Sequence, residues 1–562
     1  MNQRRDGDAS VDGEMVLHEA ASEDVENGGG RSSTRRSFLK RAGKSALLVG
    51  TGAVGGQIVA SLLRQEAPGR VEFPTASPIL IDDVTVVDPQ DGVRSARMSI
   101  LVGDGRIRSV APAGTIPVEN GVRVVVGTGR FAVPGFNDMH THALQAERPA
   151  LALATMLAEG VTGIRQMEGS AQMLRYRAEQ RLPLTPRAPG LLAMPGELLL
   201  PFNALSADEV RDEIARQWDR GADFIKMIMT ERDVFFAAVE AAHDHGLRIA
   251  GHLPPSIKID EAASAGFDCV EHLGTSTNMW ISCSRDADTL WNEKDTGLPL
   301  PSWVAGLPYA GDVFIALAKG TLTGNASNTT SEEDLRLLAR AFETFDQGRV
   351  RDLAAILVDN GMWQCPTLVG TRSKYLADDT VYRNDPWLNT ITAEARGEYL
   401  STVDEFAALP AGTRETFRRY YERTIETVGI WNQARVPILA GTDGAGRGVG
   451  NSIQLEFREL ARAGLSPLEV LRSATTAPAR YLGRTGRMGR VAAGMDADLV
   501  LLDSDPLASV DNLASISLVV RAGHPFTADD LANHIDELAG QDIDEAALTV
   551  PAMPLGGCCS RR

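Results

Sequence analysis

A chain of 562 residues with 43% hydrophobic and 23% charged residues can bury a large core and has the ordinary composition of a globular protein. Its formal charge of -18 argues against non-specific nucleic-acid binding, which needs a basic face to neutralise phosphates. Five cysteines, of which Cys558 and Cys559 are adjacent in the tail and Cys269, Cys283 and Cys365 are scattered, are too few for a disulfide framework.

Residues 1–64 read as a targeting segment. An acidic, Gly-rich stretch to Gly30 has no apolar periodicity and is expected to be disordered. The run TRRSFLK follows, with Arg35 and Arg36 ahead of Phe38, Leu39 and Lys40, and then a weakly apolar run from Ala42 to Leu63. This pattern resembles a twin-arginine export signal. The resemblance implies passage through the twin-arginine translocase as an already folded chain and a final place outside the cytoplasm, periplasmic or secreted. Ala53 and Gly55 permit cleavage, whereas residues 42–63, if retained, are long enough to anchor the chain in a bilayer.

Between Pro78 and Val133, short alternating runs such as ILIDDVTVVDP and VRVVVGTGRFAVPG predict strands separated by Gly- and Asp-containing turns. The same texture returns at DADLVLLDSDP and SISLVVRAGH. Two β-rich patches at either end of a long α/β region predict one small β-sandwich domain composed of residues 76–133 and 485–525. From 134 to 484, apolar runs alternate with helical stretches, which implies parallel strands with crossover helices. About eight repeats favour an α/β fold of the (β/α)8 TIM-barrel type over an open sheet. No Gly-rich phosphate loop follows the first strand. Residues 526–562 form a C-terminal tail.

Two connections, at about 274–360 and 370–435, are too long for an ordinary barrel and predict lid insertions. The first holds Trp280, Trp291, Trp303 and Tyr309, the second Tyr375, Tyr382, Trp387, Tyr399, Tyr420 and Tyr421. The simplest expectation is that these aromatics form a separate small core within each insertion.

Polar residues recur where these apolar runs end. FAVPGFNDMHTH closes on His140 and His142, whose i, i+2 spacing turns both imidazoles to one side of an extended strand. Two imidazoles from one strand supply half of a tetrahedral zinc shell. Lys226 ends GADFIK, a costly place to bury a charge unless it snorkels or pairs with a carboxylate. His252 ends RIAGH, His272 ends CVEH, and Asp443 ends PILAGTD. The remaining histidines, His18, His243, His245, His524 and His534, fall in segments where surface roles are simpler.

The ordered set HxH, Lys, His, His, Asp resembles the amidohydrolase superfamily, over about Pro78 to His524. IKMIMTERD, AGHLP and VEHLG resemble its imidazolonepropionase-like and prolidase-like branch, and GMDADLVLLD its return to the β domain. The resemblance implies two divalent metals, zinc being the expected one, although manganese and cobalt also suit these donors. His140, His142 and Asp443 would bind the buried metal, His252 and His272 the exposed one, and a carboxylated Lys226 would bridge them. It further implies hydrolysis of an amide, cyclic amide or related carbon–nitrogen bond, with a dipeptide or N-acyl amino acid among the expected small-molecule substrates. The nucleophile would be a metal-activated hydroxide, with Asp443 shuttling the proton. Many members of the branch carry a polar residue two positions after the strand-five His, where this chain has Leu253 and Pro254.

Three other readings stay in view. A mononuclear deaminase on the same barrel would have no use for Lys226. A lactonase or esterase would use the same activated water. An exported barrel that only binds a ligand would not need a complete ligand set. Arg165, Glu168 and Glu197 either line the pocket or form structural ion pairs, and Glu271 is expected to face outward toward a neighbouring helix.

Overall fold

The computed structural model describes residues 76–146, 148–274, 277–297, 325–385, 388, 393–444 and 452–541. The export signal, the apolar run 42–63, Trp303, Tyr309, Trp387 and the Cys558–Cys559 pair lie outside these residues.

The fold is mixed α/β. Strands β1 (Ile79–Val87), β2 (Arg94–Gly103), β3 (Arg106–Pro112), β4 (Arg123–Val126) and β5 (Phe131–Pro134) come from the N-terminal β-rich patch. Parallel strands follow: β6 (Phe136–Thr141), β7 (Val161–Gln166), β8 (Gly190–Ala193), β9 (Phe224–Met227), β10 (Arg248–Gly251), β11 (Cys269–Glu271) and β12 (Trp363–Cys365). The chain then returns through β13 (Leu499–Leu502), β14 (Ile516–Arg521) and β15 (His524–Thr527).

The two ends of the chain are stitched into one sheet of order β15-β14-β13-β5-β1-β2-β3, with β4 against β1. The seam is the antiparallel pair β5–β13, in which Val133 faces Val500 and Ala132 faces Leu501. Period-two alternation puts Ile79, Ile81, Ile100, Leu499 and Leu501 into one buried cluster, because successive side chains of a strand point to opposite faces.

The central strands form two parallel sheets, β6-β7-β8 and β9-β10-β11-β12. Short parallel bridges join what lies between them. Leu199 bridges Met227, Gln364 bridges Ile438, and Thr141 bridges Gly444. Backbone bonds extend these contacts, with Leu439 N donating to Gln364 O at 2.9 Å and Met139 N to Ala440 O at 2.9 Å. Segment 438–444 therefore lies between β12 and β6. Crossover helices follow the strands, and two of them begin on side-chain caps: Ser170 accepts from Met173 N and Ser206 from Glu209 N.

The insertions depart in part from expectation. Tyr382 and Tyr399 lie in a small cluster of the second insertion's own, as expected, but Trp280, Phe342, Tyr375 and Tyr420 form an aromatic core shared by both insertions. Trp280, from the first, meets Tyr420, from the second, edge to face at 4.9 Å, and Phe342 at 5.6 Å. Tyr420 in turn stacks on Tyr375 at 3.8 Å. Burial of large rings outweighs chain separation, since each removes a large apolar area from water. Among the described residues, no helix is long and apolar enough to cross a membrane.

Candidate metal centre

The site starts in β6. Its last residues carry His140, and His142 follows directly, so the expected i, i+2 pair stands at the C-terminal end of a fully buried strand. Asp138, two residues earlier, ties this strand to the opposite wall. Its carboxylate accepts from His140 N at 3.0 Å, Thr442 N at 3.1 Å and Thr442 Oγ1 at 2.7 Å. Burial pushes the Asp138 carboxyl up to about 7.

Asp443 follows Thr442 with φ of 57°, a left-handed conformation that a non-glycine residue adopts only when its surroundings hold it. The turn aims the carboxylate at three imidazoles. Oδ1 lies 3.1 Å from His140 Nε2 and 3.3 Å from His142 Nε2, and Oδ2 lies 3.8 Å from His272 Nε2. Burial alone would raise this carboxyl, but the imidazoles of His272 and His140 outweigh it and hold Asp443 well below the usual carboxylate range.

His272 reaches the site by a device that strand periodicity does not contain. His272 and Leu273 both have left-handed backbones, with φ of 55° and 54°, so the chain turns sharply off β11. The ring then stands 4.5 Å from that of His140 and 5.3 Å from that of His252, centroid to centroid. Its Nδ1 is hydrogen-bonded to Thr367 Oγ1, and Thr367 is itself left-handed with φ of 45°.

Lys226 occupies β9 opposite Ala250, two residues before His252. It has no exposed surface, and its Nζ has no hydrogen-bond partner among the described residues. A buried lysine nitrogen without a hydrogen bond is unfavourable, and the Glu271 carboxylate acts on it only electrostatically.

The structure thus brings His140, His142, His272 and Asp443 into direct proximity, with His252 beside His272. Ligand atoms of His140, His272 and Asp443 all lie within 4.8 Å of one another. Buried imidazoles with converging Nε2 atoms, a carboxylate and a buried lysine without a hydrogen bond among the described residues fit a divalent-metal site.

Glu271 corrects the sequence reading. Because β11 alternates, Glu271 shares the face of Cys269, whose thiol belongs to the buried cluster beneath the site. The carboxylate is wholly buried, with Oε2 at 2.6 Å from His140 Nδ1 and Oε1 accepting from Arg165 at 2.8 Å. Burial would raise this carboxyl, but Arg165 and His140 hold it far below its ordinary value. The signal in the sequence was an acidic residue two positions after an apolar one on a buried strand. Arg165 itself points under the site, and Glu197 accepts from Ala171 N at 2.8 Å, so both are structural; Glu168 lies 3.7 Å from His142 Nδ1.

Residues 417–525 match the profile of the Amidohydrolase family. The matched segment includes Asp443, β13 and β14, and it ends before the tail. An uncharacterized protein of Mycobacterium tuberculosis is 22% identical over 458 residues, covering 76% of this chain and 92% of that protein. Among solved structures, a bottromycin amidohydrolase superposes with a TM-score of 0.58 at 22% identity, covering 84% of this chain and 93% of that one. A Xaa-Pro dipeptidase with methionine in its active site gives a TM-score of 0.52 at 17% identity, over 80% of this chain and all of that one. At these identities the structures establish the fold alone. The family match supports a hydrolase acting on carbon–nitrogen bonds.

Proposed function

We propose that this chain hydrolyses an amide, cyclic amide or related carbon–nitrogen bond at a centre for two divalent metals, with zinc the expected one. One observation carries the reading: three buried imidazoles present Nε2 to the Asp443 carboxylate, and the buried Lys226 Nζ, on the strand next to that of His252, has no hydrogen-bond partner among the described residues. His140, His142 and Asp443 would hold the buried metal, and His252 and His272 the exposed one. Lys226 would bridge them as a carbamate, which turns a buried cation into an anionic oxygen donor and removes the cost of burying it. Bound there, two metals would make water a nucleophile near neutral pH and polarise the scissile carbonyl.

The chain's own residues do the rest. The left-handed turn at Asp443 places its carboxylate between the imidazoles, where it would take a proton from the attacking water. The same carboxylate then returns that proton to the leaving nitrogen, base first and acid second. Glu271 and Thr367 hold the Nδ1 sides of His140 and His272, so their Nε2 atoms face the reaction.

The scaffold in this reading is a closed (β/α)8 barrel. In its support, the cluster beneath the site draws Met139, Ala193, Phe224, Ala250, Cys269 and Cys365 from strands β6 and β8 to β12, and Leu439 from segment 438–444, as layered barrel interiors do. The composite sheet from both chain ends would be the accompanying β-sandwich. A dipeptide or N-acyl amino acid is the proposed substrate class, in keeping with the Xaa-Pro dipeptidase among the similar structures. Export through the twin-arginine translocase, with or without a retained anchor, completes the proposal.

A single-metal deaminase is the second reading. It is favoured by the compact set His140, His272 and Asp443, whose ligand atoms all lie within 4.8 Å of one another and would hold a single ion. Incubating the full chain with dipeptides, N-acyl amino acids, cyclic amides and aminated heterocycles separates the two. Chelator-sensitive cleavage of an amide bond is the expected result, whereas ammonia released from a heterocycle would move the assignment to the deaminase.

A further inference from the structure

Resting on the metal-site reading above, we infer that Glu271 is a positioning residue that fixes the proton of His140 on Nδ1, and that Arg165 fixes Glu271. The geometry is a buried relay. Glu271 Oε2 lies 2.6 Å from His140 Nδ1, and Glu271 Oε1 accepts from Arg165 at 2.8 Å. Arg165 also donates through Nε to Met139 O at 2.5 Å and through a terminal nitrogen to Tyr481 Oη at 3.0 Å, with its guanidinium 5.0 Å from the Tyr481 ring centre. All of these side chains are buried.

A neutral imidazole carries one N–H, and an ionised carboxylate can only accept. Glu271 therefore draws the proton to Nδ1 and leaves the Nε2 lone pair directed at Asp443, where a metal would bind. Arg165 has donors only, so it secures the other carboxylate oxygen and compensates the buried charge. Its bond to the Met139 carbonyl also grips the residue just before His140. One guanidinium thus holds both the ring's partner and its backbone.

This arrangement makes an isosteric substitution informative. In Glu271→Gln, Arg165 claims the single amide oxygen and the –NH2 must face His140 Nδ1. That contact turns Nδ1 into an acceptor and moves the proton to Nε2, away from the metal. Zinc affinity of the full chain, measured by competition with a chromophoric chelator, is expected to fall about 10–100-fold at one site. Pairing Glu271→Gln with Arg165→Met frees the amide to turn its oxygen toward Nδ1, and part of the lost affinity returns. A folded Glu271→Gln variant that binds zinc as tightly as the wild type overturns the inference. So does a double variant no better than the single one. If the wild type itself binds no zinc, the metal-site reading fails instead. Neutron diffraction of metal-free wild type tests the same point without a substitution: a deuteron on His140 Nδ1 is expected, and one on Nε2 alone contradicts it.

Discussion

The indole of Trp280 and the phenol ring of Tyr420 meet edge to face, their centroids 4.9 Å apart, and so join two insertions that are distant in the chain. Tyr420 is pinned on its other face by Tyr375, stacked at 3.8 Å with an interplanar angle of 6°. The two insertions are therefore packed against each other through these rings. Trp280→Ala should cost about 3–5 kcal/mol, the usual penalty for emptying a buried aromatic position. Denaturant unfolding measures the loss, and limited proteolysis should reveal new cleavage in both 277–297 and 411–433. Cleavage confined to the first would show that the insertions are independent.

Gly441 sits where the wall carrying Asp443 presses on β6. A Cβ there would lie 2.6 Å from Cys365 Sγ and 2.8 Å from His140 Cβ, closer than real contacts allow. Gly441→Ala should push β6 away from its neighbour, at about 1–3 kcal/mol for overpacking. Metal retained after dialysis should fall along with the melting temperature. Unchanged retention would mean that His140 can shift without loss.

Glu456 gives the fold a pH dependence of its own. Its Oε2 accepts from Val369 N at 2.8 Å, and burial pushes its carboxyl up to about 8 from 4.5. Between those values the folded chain keeps a proton that the unfolded chain releases. Stability from this group is therefore fully present below about 4.5, declines as pH rises through 8, and is flat above. Glu456→Gln keeps the acceptor and removes the ionisation, so it should be more stable than wild type at pH 9 by a margin on the order of a few kcal/mol. Equal unfolding midpoints at pH 9 would show that the carboxyl ionises without penalty.

Asp443→Asn keeps the size of the side chain and removes the base. With whichever dipeptide or N-acyl amino acid is turned over fastest, kcat should fall about 10²–10⁴-fold. A variant retaining near-wild-type kcat would assign proton transfer to another group.

Much of the site was legible because it obeys strand periodicity. His140 and His142 follow the i, i+2 rule, and Lys226 and His252 end buried runs that read as strands. Glu271 was misread because periodicity was carried one residue too far. The strand ends at Glu271, and His272 enters the site only through two successive left-handed residues. Such a turn has no signature in residue type, since neither His272 nor Leu273 is a glycine. Thr367, left-handed for the same purpose, was invisible for the same reason. The β-rich ends were legible from alternation, but their joining through β5 and β13 depends on long-range pairing. The shared aromatic core likewise depends on which helices meet, which no local pattern encodes.

The central claim is a two-metal centre bridged by Lys226, and metal stoichiometry tests it most directly. The full chain, purified without chelators and supplied with zinc and bicarbonate, should carry two metal ions by mass spectrometry. Lys226→Ala, with an unchanged circular dichroism spectrum, should lose most of them. A single ion in both proteins would contradict the bridging role and the binuclear account with it.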